Sequence, residues 1–171
     1  MGYCGVDYSK IINQANNGDD GIAREPEIVN IVCSFNTGTT LDLKRIASVC
    51  SNVQYNPRRF TALVMRRTKP KATALIFNTG KVVVVGCQSI ENAKKMSRLF
   101  ASILKKHVSE VKYKNFSIYN IVSNAKLPYR LNLSAIKEEY DSDEVETSNG
   151  QFPGIHILCP CKDNSKISVS L

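Results

Sequence analysis

The chain has 171 residues, 43% of them hydrophobic and 22% charged, enough apolar surface to close one domain or two small tandem ones and to exclude wholesale disorder. Twenty-three Lys and Arg against fifteen Asp and Glu leave a net charge of +8, which points to a polyanionic partner, with DNA, RNA and an anionic membrane surface all open. No run approaches about 18 apolar residues, so no membrane span is expected, and the opening residues lack the apolar stretch of a secretory signal.

Residues 1–24 are rich in Gly, Asn and Asp and read as a flexible tail. Residues 27–36 (EIVNIVCSFN) are β-branched and predict a strand. Thr40 is placed to cap a helix running to about residue 52, with Leu41, Ile46, Val49 and Cys50 on its buried face. Residues 60–67 (FTALVMRR) predict a strand ended by Thr68-Lys69-Pro70-Lys71. Residues 73–77 and 82–86 predict two more, joined by a hairpin turn at Asn78-Thr79-Gly80-Lys81. Residues 89–106 predict a long amphipathic helix. Its apolar stripe is Ile90, Ala93, Met96, Phe100, Ile103 and Leu104, and its outer face is Lys94, Lys95, Arg98, Lys105 and Lys106. A second series follows: a strand at 116–123, a helix at about 132–140, an acidic insertion over 137–150, a strand from Phe152 and a strand at 166–171.

That second series repeats the first. Asn30-Ile31-Val32 recurs ninety residues later as Asn120-Ile121-Val122, and the Leu41, Leu43, Ile46 spacing recurs as Leu131, Leu133, Ile136. A ninety-residue period is too long for a solenoid unit. It predicts two tandem copies of a small unit, over 25–113 and 114–171, related by a pseudo-two-fold axis. The second copy lacks a counterpart of the hairpin and long helix and is expected to be incomplete, with an unpaired sheet edge at 166–171.

The charge is concentrated. Residues 58–114 hold fourteen Lys and Arg against Glu91 and Glu110, whereas residues 137–150 hold six acids against Lys137. A basic block of this size gains affinity from each phosphate it neutralises, through counterion release. The six cysteines, at 4, 33, 50, 87, 159 and 161, predict reduced thiols of an intracellular protein. Cys159-Pro160-Cys161 is the one close pair. It lacks the spacing and second ligand pair of a zinc knuckle, and His107 and His156 do not supply them, so no metal or other cofactor is expected.

The strings LDLKRIA, YNPRRF, TALIFNTGKVVVVG, FSIYNIV and QFPG, in this order and with this repeat, resemble the TATA-binding protein family of the eukaryotic kind. The resemblance extends over residues 27–171, nearly all of the chain except its tail. The resemblance implies an α+β fold, a curved antiparallel sheet shaped as a saddle with helices on its convex face. The concave face would lie in the minor groove of A·T-rich promoter DNA and bend it. Binding of this type pushes apolar wedges between base steps, at a cost offset by burial of a flat, hydrogen-bond-poor sheet face. The groove discriminates mainly A·T from G·C.

Position by position, the resemblance makes Phe60 and Phe77 the wedge pair of the first copy and Phe152 the first wedge of the second. The partner of Phe152 would fall just after Leu171. Asn30 and Asn120 match the two central asparagines that meet base edges. Val32, Val83 and Val122 match the apolar floor. Arg59, Arg66, Thr79 and Lys81 match positions that contact the DNA backbone. Val85 stands where the family usually has a base-contacting threonine, and Gln88 where a lysine is usual. The basic helix face (Lys94, Lys95, Arg98, Lys105, Lys106) matches a surface that meets transcription factors or flanking DNA. The family has an acidic, proline-containing docking segment for transcription factor IIB just before FPG. Here that stretch is Thr147-Ser148-Asn149-Gly150, with Asp143, Glu144 and Glu146 upstream, which leaves that contact open.

The function implied is a nuclear initiation factor acting with general transcription factors, IIA-like and IIB-like, and RNA polymerase. The alternative is an interaction module of the same fold with little sequence-specific DNA binding. An enzyme is not expected. No nucleophile–base pattern is present, and Gly80-Lys81 lies in a hairpin rather than a phosphate loop.

Overall fold

The computed structural model describes residues 26–127, 132–134, 136, 145–147, 154–160 and 166–170. The chain splits into two compact units, one of them Glu25–Ala125 and the other holding the residues from Lys126 onward.

The first unit is one antiparallel sheet with two helices. Its strands are β1 (Glu27–Asn36), β2 (Val53–Asn56), β3 (Phe60–Thr68), β4 (Lys71–Ile76), β5 (Lys81–Cys87) and β6 (Lys114–Asn124), in the order β2-β3-β4-β5-β1-β6. Its helices are α1 (Leu43–Val49) and α2 (Ile90–Lys105). Alternation along the strands sends Ile31, Cys33, Leu63, Met65, Ala74, Ile76, Val82 and Val84 into one core with Phe35. Leu43 and Ile46 of α1 and Ala93, Met96, Phe100 and Leu104 of α2 close that core. Each large aliphatic side chain buried there contributes about 1.5–3 kcal/mol. Among the described residues the opposite sheet face carries no helix of this unit. β6, the opening strand of the second copy, completes this sheet.

The Ser89 side chain caps α2 by accepting from the Asn92 N–H at 3.1 Å. Lys94, Lys95, Arg98, Lys105 and Lys106 are all exposed, as the helical period requires. Ile90, expected in the apolar stripe, is exposed instead. It is the first helical residue and overhangs the end of the core.

α1 is shorter than expected and starts later. Its cap is Asp42, whose carboxylate accepts from the Arg45 N–H at 3.1 Å, rather than Thr40. The reason is that the Leu41 N–H donates to the Asn78 carbonyl at 2.9 Å, which holds this stretch extended against the β4–β5 hairpin. The two-residue shift also turns the helix. Leu43 is buried, while Val49, expected inside, is 53% exposed. β2, which reads as neither strand nor helix from its sequence, pairs with β3 at the sheet edge.

The β4–β5 hairpin follows its turn signal. Phe77 N–H donates to the Lys81 carbonyl at 2.9 Å, and Gly80 N–H to the Phe77 carbonyl at 3.0 Å. Gly80 has φ +86°, and a Cβ there would run into the Thr39 carbonyl oxygen and Thr37 Oγ1. Only glycine fits.

In the second unit, β7 (Val145–Thr147), β8 (Ile155–Pro160) and β9 (Lys166–Ser170) form an antiparallel sheet in that order. The acidic insertion is therefore not wholly a loop, since β7 lies within it. The strand expected from Phe152 begins at Ile155. β9 stands at the edge of this sheet among the described residues. Residues 133, 134 and 136 are helical, and the rest of the helix expected near 132–140 lies outside the described residues. So do the tail over 1–24, Phe152 and Cys161, and the Cys159 side chain.

Candidate nucleic-acid interface

The open face of the first unit is organised about the β1–β6 ladder. Asn30 pairs with Val122, Ile31 with Ile121 and Val32 with Asn120. These are the repeated tripeptides, set antiparallel to one another. Directly paired residues share a face. The Ile31 side chain enters the core, so Asn30, Val32, Asn120 and Val122 belong to the opposite, open face. Two asparagines lie on one diagonal and two valines on the other, about a local two-fold axis at Ile31 and Ile121. The ninety-residue repeat relates the two halves of this quartet, and the family resemblance marks all four positions.

Asn30 is held in place. Its Oδ1 accepts from the Gly86 N–H at 2.8 Å, so the amide NH2 is the end left for donation. Gly86 has φ +91° and sits where the β1–β5 register shifts, between Ile31 and Cys33. The irregularity is what turns the Gly86 N–H toward Asn30.

The open face continues across the sheet in two rows. Val64, Leu75, Val83 and Ser34 form one, each opposite the next. Arg66, Thr73 and Val85 form the other. Val83, which the resemblance assigns to the floor, and Val85 are both half-buried. Val64, Leu75 and Thr73 line the same floor and were missed. The alternation Ala72, Thr73, Ala74, Leu75, Ile76, Phe77 was the signal that could have found the two β4 residues, because its odd members are half-buried and its even members buried. Thr73 places a hydroxyl beside Val85, the position where the resemblance had led to the loss of one.

Phe60 and Phe77 come together at one end of this face. Their rings meet edge to face, with centroids 6.5 Å apart and planes at 69°. Phe60 is 46% exposed, far more than a core phenylalanine. Arg59 precedes it in a turn closed by its own N–H on the Asn56 carbonyl at 3.0 Å. Arg59, Arg66, Thr79 and Lys81 are all exposed around the face. Arg66 Nη1 donates to Gln54 Oε1 at 3.2 Å, which splays its guanidinium along the sheet edge. Gln88 is exposed at the end of β5.

Titratable groups with displaced pKa values lie away from this face. Burial pushes the Cys33 and Cys87 thiols up, with the hydrogen bond between Cys33 and Ser97 opposing it at Cys33 and the nearby Cys33 adding to it at Cys87. Burial also raises Tyr113. These are core groups behind the sheet, and the open face works by shape, hydrogen-bond donors and fixed positive charge.

Comparison with known proteins bears on this surface. A family model described as transcription factor TFIID, or TATA-binding protein, matches residues 25–107. The TATA-box-binding protein of Acetabularia peniculus is 40% identical over 133 residues, covering 76% of this chain and 68% of that protein. The chain belongs to the TATA-binding protein family. TATA-box-binding protein 2 of Entamoeba histolytica is 38% identical over 142 residues, covering 80% of this chain and 66% of that protein. For the Tetrahymena thermophila protein the figures are 37% over 148 residues, 85% and 60%. The match thus spans less than two thirds of the length of these last two relatives. The solved structure of the Methanococcus jannaschii TBP is similar in fold, with a TM-score of 0.57 at 27% identity, covering 86% of this chain and 82% of that one. The family model takes in Phe60, Phe77 and the floor residues of β3–β5.

Proposed function

We infer that this chain binds A·T-rich promoter DNA through the open face of its six-stranded sheet, wedges Phe60 and Phe77 into a base step and bends the duplex. The observation that carries this is the presence of an edge-to-face phenylalanine couple, Phe60 exposed and Phe77 half-buried, at one end of the face that has the Asn30–Asn120 and Val32–Val122 diagonals at its centre. Asparagine NH2 groups suit the A N3 and T O2 acceptors of the minor groove, and valines suit a groove floor without the guanine amino group. The apolar rows Val64–Leu75–Val83 and Val85 bury against sugars. Arg59, Arg66, Thr79 and Lys81 contact phosphates and set the register. Phe152 belongs to the same reading, as a wedge of the second copy. The bend costs several kcal/mol and is offset by the surface it brings into contact.

In this reading the chain is a nuclear initiation factor, not an enzyme. It nucleates a polymerase complex with general transcription factors, IIA-like and IIB-like. The face of α2 formed by Lys94, Lys95, Arg98, Lys105 and Lys106 points away from the core and supports a second role, docking of acidic protein partners.

The test titrates the chain onto an end-labelled A·T-rich duplex and a scrambled G·C-rich one at two salt concentrations, beside a Phe60→Ala/Phe77→Ala variant. Bending selective for the A·T-rich duplex and lost in the variant is the expected result. Equal, strongly salt-dependent binding to both duplexes without bending would remove the wedge mechanism and leave the α2 docking role as the better account.

A further inference from the structure

The two-fold symmetry of the open face is broken at one pair of positions. The repeat is longer than a tripeptide: Ile28-Val29-Asn30-Ile31-Val32 matches Ile118-Tyr119-Asn120-Ile121-Val122 at every place but the second. The β1–β6 register shifts at both second places, between Ile28 and Asn30 and again between Val32 and Cys33, where Tyr119 is passed over. Val29 and Tyr119 are thus the extra residues of two symmetry-related bulges. Ile28 and Ile118 pack against the core, and the following asparagines face the other way, so each bulge carries its extra residue around beside the asparagine. Val29 is exposed and Tyr119 is 64% exposed. Lys81 Nζ lies 5.5 Å from the Tyr119 ring centroid. Lys81 is in line with Val83 and Val85 on β5, which fixes Tyr119 on the open face.

We propose that Tyr119 is a specificity-determining residue that gives the interface a direction: the half of the site beneath Tyr119 accepts a G·C pair, and the half beneath Val29 excludes it. This rests on the minor-groove reading above. A·T and T·A present only acceptors in that groove, and G·C adds the guanine N2 amino donor. A phenol hydroxyl both donates and accepts, so it serves either pair. Valine does neither, and it leaves a buried amino group without a partner. Lys81 over the ring holds the side chain on this face.

The experiment measures binding to three duplexes that differ only beside the dyad. One is all A·T, one has a single G·C pair on one side of the dyad, and one has G·C pairs at both symmetry-related places. The single pair leaves the protein free to turn and set Tyr119 over it. The unmodified chain should bind the first two within about threefold and the third about tenfold or more weaker, the usual penalty of a mismatched pair. Tyr119→Phe keeps the ring and should lose about tenfold on the single-G·C duplex relative to the all-A·T one. Val29→Tyr should restore the doubly substituted duplex. Both side chains are exposed, so neither change threatens folding. The same ratio of single-G·C to all-A·T binding in the unmodified chain and in Tyr119→Phe overturns the proposal while all-A·T binding stands. Failure of the unmodified chain to prefer the all-A·T duplex over a scrambled G·C-rich one overturns the underlying reading, and this inference with it.

Discussion

Ile31 stands directly opposite Ile121 in the β1–β6 ladder, and the two are related by the ninety-residue repeat. A repeat that pairs with itself in this register places a local two-fold axis at the centre of the open face. The chemistry about that axis is symmetric, but its support is not. Asn30 is tied to the Gly86 N–H, and among the described residues β6 has no strand beyond it in this sheet to do the same for Asn120. Ile31 is fully buried, whereas Ile121 is 43% exposed.

The two asparagines should therefore separate in their effects. Asn30→Ala removes the acceptor of a half-buried backbone N–H and should cost about 1–2 kcal/mol of stability, as well as duplex affinity. Asn120→Ala should leave stability within about 0.5 kcal/mol of the unmodified chain and still weaken binding, as an exposed position predicts. Urea unfolding and duplex titration of both variants decide it. An equal loss of stability in the two would refute the supporting role of the Asn30–Gly86 bond.

Two glycines with positive φ offer a second contrast. Gly80→Ala must accept both φ +86° and a collision with the Thr39 carbonyl and Thr37 Oγ1, so the hairpin end has to open. Gly86→Ala has φ +91° but meets nothing nearer than Ala72 Cα at 3.9 Å. The second change should cost about 1–2 kcal/mol, the left-handed penalty alone, and the first clearly more. Chemical denaturation of the two variants gives the order directly. A Gly86→Ala loss equal to that of Gly80→Ala would mean that the packing around Thr37 relaxes freely.

Much of this was legible beforehand because local signals agreed with one another. Thr79-Gly80-Lys81 marked a turn, residues 27–36 marked a strand, and Asn30 and Asn120 marked themselves by recurrence. The misses share a cause. Asp42 displaced Thr40 as the cap because Leu41 is bonded to Asn78, thirty-seven positions away, and no local propensity carries that bond. Val49 then fell outside. Tyr119 was passed over because strict alternation puts it with the core-facing neighbours. Only the bulge, visible in the β1–β6 register, brings it beside Asn120. Thr73 and Leu75 were within reach of alternation alone.

Phe60 should be separable from folding. At 46% exposed, its main fixed partner is Phe77, and an edge-to-face pair contributes about 0.5–1.5 kcal/mol beyond burial. Phe60→Ala should therefore lower the melting temperature by only a few degrees, on the order of 4–8 °C per kcal/mol for a domain of this size. DNA bending, read by energy transfer between duplex ends, should fall far more. A variant that melts much lower yet bends DNA as before would assign Phe60 to the core and not to the wedge.

The buried thiols give a pH signature. Cys33 and Cys87 lie behind the sheet, and burial raises both from the ordinary 9.0. A raised acid is neutral in the fold at pH values where the unfolded chain has already lost its proton. Ionisation then favours the unfolded state, so stability is unaffected well below pH 9 and declines as pH climbs past it. Tyr113, raised by burial from 10.0, extends the decline to higher pH. Urea midpoints should hold steady from pH 7 to 8 and drop by pH 10. In Cys33→Ala/Cys87→Ala the drop should shrink, even though the variant starts less stable from the cavities it leaves. A thiol reagent supplies the independent check: at pH 8 both cysteines should react only on unfolding, because the thiolate is the reactive form and the fold suppresses it. Rapid labelling of Cys33 in the native protein would show that the sheet and α2 do not exclude solvent from it, and the pH argument would fail at its first step.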